Sequence, residues 1–473
     1  MAQAAEFSAT CSEIASMHIA ASSVAARIDT SARAIEAQVI AWWRDFHQHP
    51  ELGNREFRTA AIVAEHLRQL DFDEVRTEVA HTGVVGLLRG ALPGPVVTLR
   101  ADMDALPVTE ELDLPFASKV RATWNGESVG VMHACGHDAH TAILMGVASV
   151  LAGLRASLRG TVKFIFQPAE EMPPEGEEGG ARLMIEQGAL ENPKPAAIFG
   201  LHVTHRLPVG VIGYRSGPTM ASSDKLKITV HGRQTHGAAP WMGVDPIVTA
   251  AQVVLGLQTI VSRQIDITRE PAVVTIGAIK GGVRENIIPD SVEMRGTIRS
   301  FDEEMRDDIH ERVTYLVEHI SRGARAGCTV CISKNYPVTV NHPQLTEAMS
   351  PTLKRVAGDG HWRLNNKVSG TEDFSFFQKV LPGMFNFLGV TPEGIEPAKS
   401  ASNHSPRFFI DERALVTGVR VLAHLTCDHL QARPSDPADA VAGIRRQWQL
   451  AGSEDHQHTY VVDKLVNLLN DRR

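Results

Sequence analysis

Residues 133–140, HACGHDAH, place three histidines, a cysteine and an aspartate just before the apolar helical run that begins at Ile143. Cys135 and His137 lie two apart in a turn that contains glycine, and thiolate and imidazole are common zinc ligands. The same stretch also fits the polar start of a helix, where a histidine caps the first turn. This pair alone therefore leaves a metal site and a helix start both open.

Three further segments place metal-binding side chains near the ends of apolar strands. Glu170 and Glu171 follow the strand TVKFIF, so one carboxylate can bind a metal while its neighbour faces a water as a base. His202 ends the apolar run AAIFGLHV, and His404 lies in SASNHSPRFF. Each has an ordinary explanation, because loop acids are usually solvated and a lone histidine is usually hydrogen-bonded. Together, these coincidences favour one shared metal site.

The number of candidate ligands predicts two metal ions. Two four-coordinate ions need about eight bonds, and five protein ligands supply that many if one of them and one water each bridge both ions. Five ligands are too many for a single tetrahedral zinc with an open position. A mixture of thiolate, imidazole and carboxylate suits Zn²⁺, with Mn²⁺ or Co²⁺ as alternatives. The five candidates are Cys135, His137, Glu171, His202 and His404.

The elements that must position these residues alternate between helix and strand. Amphipathic helical patterns alternate with buried strand patterns such as GVVGLLRG, PVVTLRADMD and GTVKFIFQ. This alternation predicts an α/β fold with a mostly parallel sheet flanked by helices. From about Ser222 the order becomes βαββαβ, which is the ferredoxin-like unit.

The change of pattern predicts a catalytic domain interrupted by an inserted lid. We expect the first part of the catalytic domain over 35–217, the lid domain over 218–334 and the second part over 335–430. Residues 1–34 are predicted to form an N-terminal extension, and 431–473 a linker with a C-terminal helical tail. The lid should move on hinge segments near 216–223 and 334–337.

Composition restricts the class of protein. The formal net charge is −8 with no cluster of lysine and arginine, which argues against a nucleic-acid partner. No apolar run approaches the roughly 20 residues that a membrane helix needs. The five cysteines are scattered, unlike a disulfide framework, and favour a reducing compartment such as the cytoplasm. Cys328 and Cys331 in CTVC are predicted to pack in a strand rather than to form a zinc knuckle.

A series of motifs resembles a known family. The chain is similar to the aminoacylase/carboxypeptidase family of metallopeptidases, in its hippurate hydrolase and auxin-amide hydrolase branch. The resemblance runs in order from about Ile35 to about Leu430. The motifs are RADMDALP, MHACGHDAHTA, FQPAEE, GLHV, THGAAP, GVDP, ENIIPD, GTEDFSFF and NHSPRF.

The resemblance implies roles for individual residues. It makes the five candidates above the ligands of a dinuclear centre and Glu170 the general base. Asp104 in RADMDALP would orient a metal-bound histidine such as His137. In similar enzymes a lid histidine, often from the partner subunit, stabilises the oxyanion, and here that residue would be His236. Asn286 in ENIIPD would hydrogen-bond the substrate, although it fits a turn residue equally well.

Trp241 departs from the family motif, and His140 lies close to the candidate ligands without being one of them. The family usually has AAPH in the lid, whereas this chain has AAPW with Trp241, which places any role of that position in doubt and favours apolar acyl groups. His140 lies one turn into the helix after His137. We interpret it as a residue that supports the ligands rather than as a ligand itself.

The predicted function is metal-dependent hydrolysis of the amide bond of an N-acyl amino acid, which yields a carboxylate and a free amino acid. The alternative is a metallo-exopeptidase, either a carboxypeptidase or a dipeptidase, that acts on short peptides. A non-catalytic metal-binding protein is a third hypothesis, but this chain keeps every candidate ligand and the base. The expected partners are the small substrate and, because a lid histidine can act in trans, further copies of the chain in a homo-oligomer.

Overall fold

The computed structural model describes residues 24–171 and 173–431. The predictions for 1–23 and for the tail after residue 431 lie outside these described residues. Residues 24–34 are helical. The strands, in chain order, are β1 (Glu74–Val79), β2 (Gly83–Arg89), β3 (Leu92–Asp102), β4 (Arg121–Trp124), β5 (Glu127–Gly130), β6 (Arg159–Gln167), β7 (Ala197–Pro208), β8 (Ile212–Tyr214), β9 (Gly217–Met220), β10 (Asp224–His231), β11 (Thr235–His236), β12 (Ala272–Gly281), β13 (Ile287–Ile288), β14 (Ser291–Ser300), β15 (Gly327–Lys334), β16 (Thr339–Asn341), β17 (Trp362–Leu364) and β18 (Gly383–Thr391).

The α-helices alternate with the strands on both sides of a large sheet or pack on a smaller one. They are α1 (Glu36–Gln48), α2 (Phe57–Gln69), α3 (His137–Ala152), α4 (Gly180–Glu186), α5 (Pro246–Thr259), α6 (Glu303–Gly323), α7 (Pro343–Ala357), α8 (Phe374–Val380) and α9 (Arg413–Gln431). Nearly every residue of α3 is buried, because this helix is apolar on all sides and lies inside the structure. In the part of the chain that the structure describes, no helix has the length and apolar character needed to cross a membrane.

Eight strands form the large sheet in the order β1-β2-β6-β3-β7-β18-β8-β17. The centre, from β6 to β18, is parallel, while β1 and β2 pair antiparallel at one side and β8 runs antiparallel to β18 at the other. Helices α1, α2, α3, α7 and α9 contribute to the core on one face, and α4 and α8 to the core on the other. The predicted α/β fold with a mostly parallel sheet between helices is thus confirmed.

The small sheet has the strand order β12-β14-β10-β15, and every neighbouring pair is antiparallel. Helices α5 and α6 share its apolar core, so the elements follow one another as βαββαβ. This is the ferredoxin-like arrangement expected of the lid. The exact domain limits at 217/218 and 334/335 stay a prediction.

Candidate functional site

The candidate ligands come from four segments that meet at the carboxyl ends of the central parallel strands. Cys135 and His137 lie at the start of α3, and Glu171 follows β6. His202 lies within β7, and His404 lies in the loop between β18 and α9. In a parallel sheet these strand ends share one edge, so residues far apart in sequence arrive at one place.

Gly136 makes the turn that separates Cys135 from His137. Its φ of 97° is left-handed, a conformation that glycine adopts without strain. A Cβ atom at this position would lie 2.3 Å from Cγ2 of Val203 on β7. The site therefore requires glycine here both for the turn and for the close packing against the strand.

The ligand atoms form two overlapping groups. Cys135, His137 and His202 place one ligand atom each within 4.8 Å of one another, and so do Cys135, Glu171 and His404. Sγ of Cys135 lies 3.5 Å from Nε2 of His202 and 3.3 Å from Nε2 of His404. Cys135 belongs to both groups, so its sulfur lies where the two groups overlap.

The chemistry of this donor set fits bound cations. Nε2 of His137 is buried and has no hydrogen-bond partner among the described residues. Burial opposes its charge, but Asp102 and Asp104 raise the pKa of His137 to about 10. Burial and then the charges of Glu171 and Glu170 raise the pKa of the Cys135 thiol well above its ordinary value. A divalent cation would take up this excess negative charge and favour the thiolate.

The outer nitrogens of the histidines are held by protein oxygens. Nδ1 of His137 lies 2.8 Å from the main-chain oxygen of Asp104 and 3.2 Å from its Oδ1. Nδ1 of His202 donates to the carbonyl of Val203 at 2.7 Å. Burial and the nearby His140 lower the pKa of His202 well below its ordinary value, which keeps that ring neutral. In both residues Nε2 is left for the cluster, as metal-binding histidines generally require.

His140 has no nitrogen left for a metal. Its Nδ1 lies 2.5 Å from Oδ1 of Asp102, and its Nε2 accepts the main-chain N–H of Val203 at 2.9 Å. It therefore links Asp102 to β7 beneath the cluster, which agrees with its interpretation as a supporting residue.

Hydrogen bonds fix the segment that carries Glu170 and Glu171. The carboxylate of Asp104 accepts the main-chain N–H groups of both glutamates at 3.0 Å. Ala169, just before them, has a left-handed φ of 51°, and Glu56 accepts its N–H at 2.9 Å. Oε1 of Glu170 accepts the main-chain N–H of Asp373 at 3.3 Å. The segment is thus held in a strained conformation by surrounding carboxylates and amides.

The carboxylate of Glu170 lies beside the candidate ligands. Burial, followed by the charges of Glu372 and Glu171, raises the pKa of Glu170 well above its ordinary value. Its Oε2 is 3.9 Å from Nε2 of His137, so the carboxylate borders the cluster. A carboxyl group with a raised pKa can take and return a proton near neutral pH.

A buried guanidinium under the cluster was not anticipated from the sequence. Arg100 on β3 is 1% exposed and contacts Asp102 at 2.7 Å, Glu372 at 2.9 Å and Asp373 at 2.8 Å. Its position inside an apolar strand was the available signal, because an unpaired arginine is almost never buried. Arg100 neutralises part of the negative charge that the acids beside the site would otherwise accumulate.

The cluster opens into a cavity of about 730 Å³. Cys135, Glu170 and Glu171 line its metal end, while Leu207, Met220 and Phe387 supply apolar walls. The cavity also has cationic lining residues, which are Arg206, Arg299, Arg363 and Lys367.

The structure does not bring the two lid residues to this cavity. His236 and Asn286 are exposed and are not among the residues that line it. They lie beside each other, because the main-chain oxygen of Asn286 accepts the N–H of Gly237 at 2.8 Å. Trp241, in the short helix that follows, is 79% exposed. For His236 or Asn286 to touch a substrate held at the cluster, the lid must move or a second subunit must supply them.

Comparisons with known proteins identify the family of this chain. Residues 98–428 match the family model described as peptidase family M20/M25/M40. Thermostable carboxypeptidase 1 of Saccharolobus solfataricus is 40% identical over 84% of this chain and 96% of its own length. N-acetylcysteine deacetylase of Bacillus subtilis is 38% identical over 83% of this chain and 97% of its own length. IAA-amino acid hydrolase ILR1-like 4 of Arabidopsis thaliana is 37% identical over 82% of this chain and 84% of its own length.

A solved structure supports the same relationship. A Bacillus subtilis protein described as a dinuclear metal binding peptidase from the M20 family matches with a TM-score of 0.72 and 35% sequence identity. The match covers 85% of this chain and 100% of the solved one.

Proposed function

Because the chain belongs to peptidase family M20/M25/M40 and is therefore a hydrolase, we propose that it cleaves the amide bond of N-acyl amino acids. The products would be a carboxylate and a free amino acid. Relatives named as a deacetylase of an N-acyl amino acid and as an amino acid conjugate hydrolase support this substrate class. The observation that carries the proposal is the pair of ligand groups sharing Cys135, with Glu170 beside them in an open cavity.

Two divalent ions would be held by the five candidate ligands. Dinuclear metal binding is a property of the family. We assign Cys135, His137 and His202 to one ion and Cys135, Glu171 and His404 to the other, with Asp104 orienting His137. Zn²⁺ suits the thiolate and imidazoles best, with Mn²⁺ or Co²⁺ as alternatives. When bound, the ions would supply Lewis acidity to polarise the scissile carbonyl.

Glu170 would move the proton that the reaction requires. Its carboxylate takes a proton from the attacking water and returns it to the leaving nitrogen, so it acts first as base and then as acid. The amide N–H of Asp373 holds Oε1, which leaves Oε2 toward the cluster. His236 would stabilise the oxyanion once the lid presents it.

Arg299 would recognise the carboxylate of the amino acid. This residue lies at the end of lid strand β14, lines the cavity and has Nη1 buried without a hydrogen-bond partner among the described residues. Burial lowers its pKa, because a buried charge without a close partner is disfavoured. A substrate carboxylate would accept a charge-assisted hydrogen bond from Nη1 of Arg299. Asn286 would add a hydrogen bond from the lid.

The same features fit a carboxypeptidase, and one relative bears that name. An exopeptidase acting on unmodified dipeptides must accept a free α-amine where an acyl group would otherwise lie. The apolar side chains of Leu207, Met220 and Phe387 favour an uncharged acyl group in the cavity.

A substrate panel separates the two activities. Metal-stripped protein reconstituted with Zn²⁺, Mn²⁺ or Co²⁺ should hydrolyse acetyl, benzoyl and indole-acetyl amino acids faster than the corresponding dipeptides. Faster hydrolysis of the dipeptides would favour the exopeptidase. Absence of turnover with every metal and every substrate would contradict the proposed function altogether.

We further propose a homo-oligomer in the cytoplasm. The exposed positions of His236 and Trp241 on the lid support contact with another copy, and the four described cysteines, which are all free, support a reducing compartment. Sedimentation at several concentrations tests the first point.

A further inference from the structure

The two chain segments that join the lid to the catalytic part run side by side. The N–H of Ser223 donates to the carbonyl of Tyr336 at 2.9 Å, and the N–H of Asn335 donates to the carbonyl of Ser223 at 3.0 Å. Both segments fall in the predicted hinges. A movement of the lid must therefore displace Ser223 and Tyr336 together.

The side chain of Tyr336 reaches from this hinge to the proposed base. Its hydroxyl donates to the main-chain oxygen of Glu170 at 2.6 Å. Burial, followed by the nearby carboxylates of Asp373 and Glu170, raises the pKa of Tyr336, so the hydroxyl keeps its proton and stays a donor. Among the described residues, no other side chain donates a hydrogen bond to this carbonyl.

The bond controls one particular peptide unit. The carbonyl belongs to the peptide that joins Glu170 to Glu171, and the N–H of the same peptide donates to Oδ2 of Asp104 at 3.0 Å. The plane is thus fixed at its oxygen by the hinge and at its nitrogen by the catalytic part. Because a peptide is planar, these two bonds together restrict ψ of Glu170 and φ of Glu171, the main-chain torsions on either side of the plane.

We propose that Tyr336 is a positioning residue that orients Glu170 and couples its placement to the position of the lid. This inference rests on the proposed function, in which Glu170 moves the proton. The other bonds to the segment, from Glu56, Asp104 and Asp373, all come from the catalytic part. Among the hydrogen bonds of the described residues, that of the Tyr336 hydroxyl is the one that joins the hinge to this segment.

A double-mutant cycle tests whether Tyr336 acts through Glu170. In the metal-reconstituted full chain, Tyr336→Phe should lower kcat by about 10-fold, because a buried carbonyl loses its donor, and should change KM by less than about 3-fold. Metal content should stay at the wild-type value. In a Glu170→Gln background, the same change should lower the residual turnover by less than about 2-fold.

Tyr315→Phe is the matched control, because Tyr315 is an exposed lid tyrosine on α6. It should leave kcat and KM unchanged. If Tyr336→Phe does not fold, Pro337→Gly replaces it in the cycle. That change loosens the hinge but keeps the hydroxyl, and it should lower kcat only when Glu170 is present.

The outcomes separate this inference from the proposed function. A Tyr336→Phe protein with wild-type kcat would overturn the inference, and so would an equal loss in both backgrounds, because that would mean a purely structural role. Either result leaves the proposed function standing. A wild-type protein that hydrolyses no member of the panel would overturn both.

Discussion

The ends of the central strands and the tip of the lid each carry a histidine that the proposed function uses, but the two are in opposite states. His137 is completely buried, with Nδ1 held by Asp104. His236 is exposed, and its Nδ1 accepts the nearby N–H of Ala238 at 2.9 Å. In the proposed function the metal ligands would therefore be preorganised, whereas the lid residues would have to be brought to the substrate.

The difference follows from where charge is buried. At the strand ends, Arg100 and the histidines offset Asp102, Glu372 and Asp373, so removing one member leaves an unpaired buried charge. At the lid tip His236 and Asn286 are exposed, so a substitution there should change the reaction without changing the fold. Five experiments test this contrast.

The largest effect is expected for Glu170→Gln. The amide keeps the shape of the side chain but cannot take a proton, so kcat should fall by about 10³-fold or more while both metals are retained. Glu175→Gln, an exposed acid of the following loop, is the control and should be fully active. Ordinary turnover by the Glu170 variant would disprove the assigned base.

Cys135→Ser tests the shared ligand. A hydroxyl is a much poorer ligand than a thiolate for zinc, so metal content should fall below two ions per chain and kcat by about 10²–10³-fold. Elemental analysis measures the ions. Cys331→Ser makes the same change on an exposed lid strand and should keep both. Full occupancy in the Cys135 variant would contradict the thiolate ligand.

His236→Ala tests the lid side of the comparison. Loss of an oxyanion donor should lower kcat by about 10²-fold, with unchanged metal content and thermal midpoint, because the residue is exposed. His319→Ala, also an exposed lid histidine, should have no effect. If His236→Ala also released metal, the two regions would not be separable as proposed.

The free energy of unfolding should depend on pH through His47, which lies in the catalytic part. Burial opposes protonation of His47, but its hydrogen bonds to Asp138 and Glu110 raise its pKa to about 9 from an ordinary value of 6.5. Its contribution is therefore complete below pH 6.5 and is lost as the pH rises through 9. Denaturant titrations should show the wild type losing on the order of 2 kcal/mol over this interval. His47→Gln should lose less, and an equal loss would refute the assignment.

The smallest effect is expected at Trp241. If its exposed indole covers the acyl group when the lid closes, Trp241→Ala should lower kcat/KM by about 5-fold for benzoyl substrates and not for acetyl ones. Leu255→Ala, at an exposed apolar position on α5, is the control. An equal loss for both acyl groups would exclude a role in acyl selection.

The sequence predicted those parts of the site that depend on local pattern. Cys135, Glu171 and His202 lie near apolar strands, and the carboxyl ends of parallel strands converge. Arg100 and Tyr336 could not be assigned in this way. Two partners of Arg100, Glu372 and Asp373, and the partner of Tyr336, Glu170, lie far along the chain. Neither hydrophobic period nor residue spacing specifies which side chains meet across a core.

For the fold, too, the elements with a clear local pattern could be predicted, whereas long-range pairing could not. Central strands β3, β6 and β7 each contain a short apolar run, VVTL, FIF and AIFGL respectively, so the burial of these runs could be predicted. The short strands β8 and β17 at one side of the sheet have only three residues each, too few to carry a period. Their position depends on pairing with β18 and with each other, which is a long-range property.

The chain passes through the lid before it reaches β18, and this order affects synthesis. On a ribosome the whole βαββαβ unit leaves the exit tunnel, and can fold, while β7 still lacks its parallel neighbour β18. Until β18 has been synthesised, the edge of β7 that faces it has no strand to pair with. His404 emerges later still, so premature release of the polypeptide would yield a finished lid on an unfinished sheet that lacks one of its five candidate ligands.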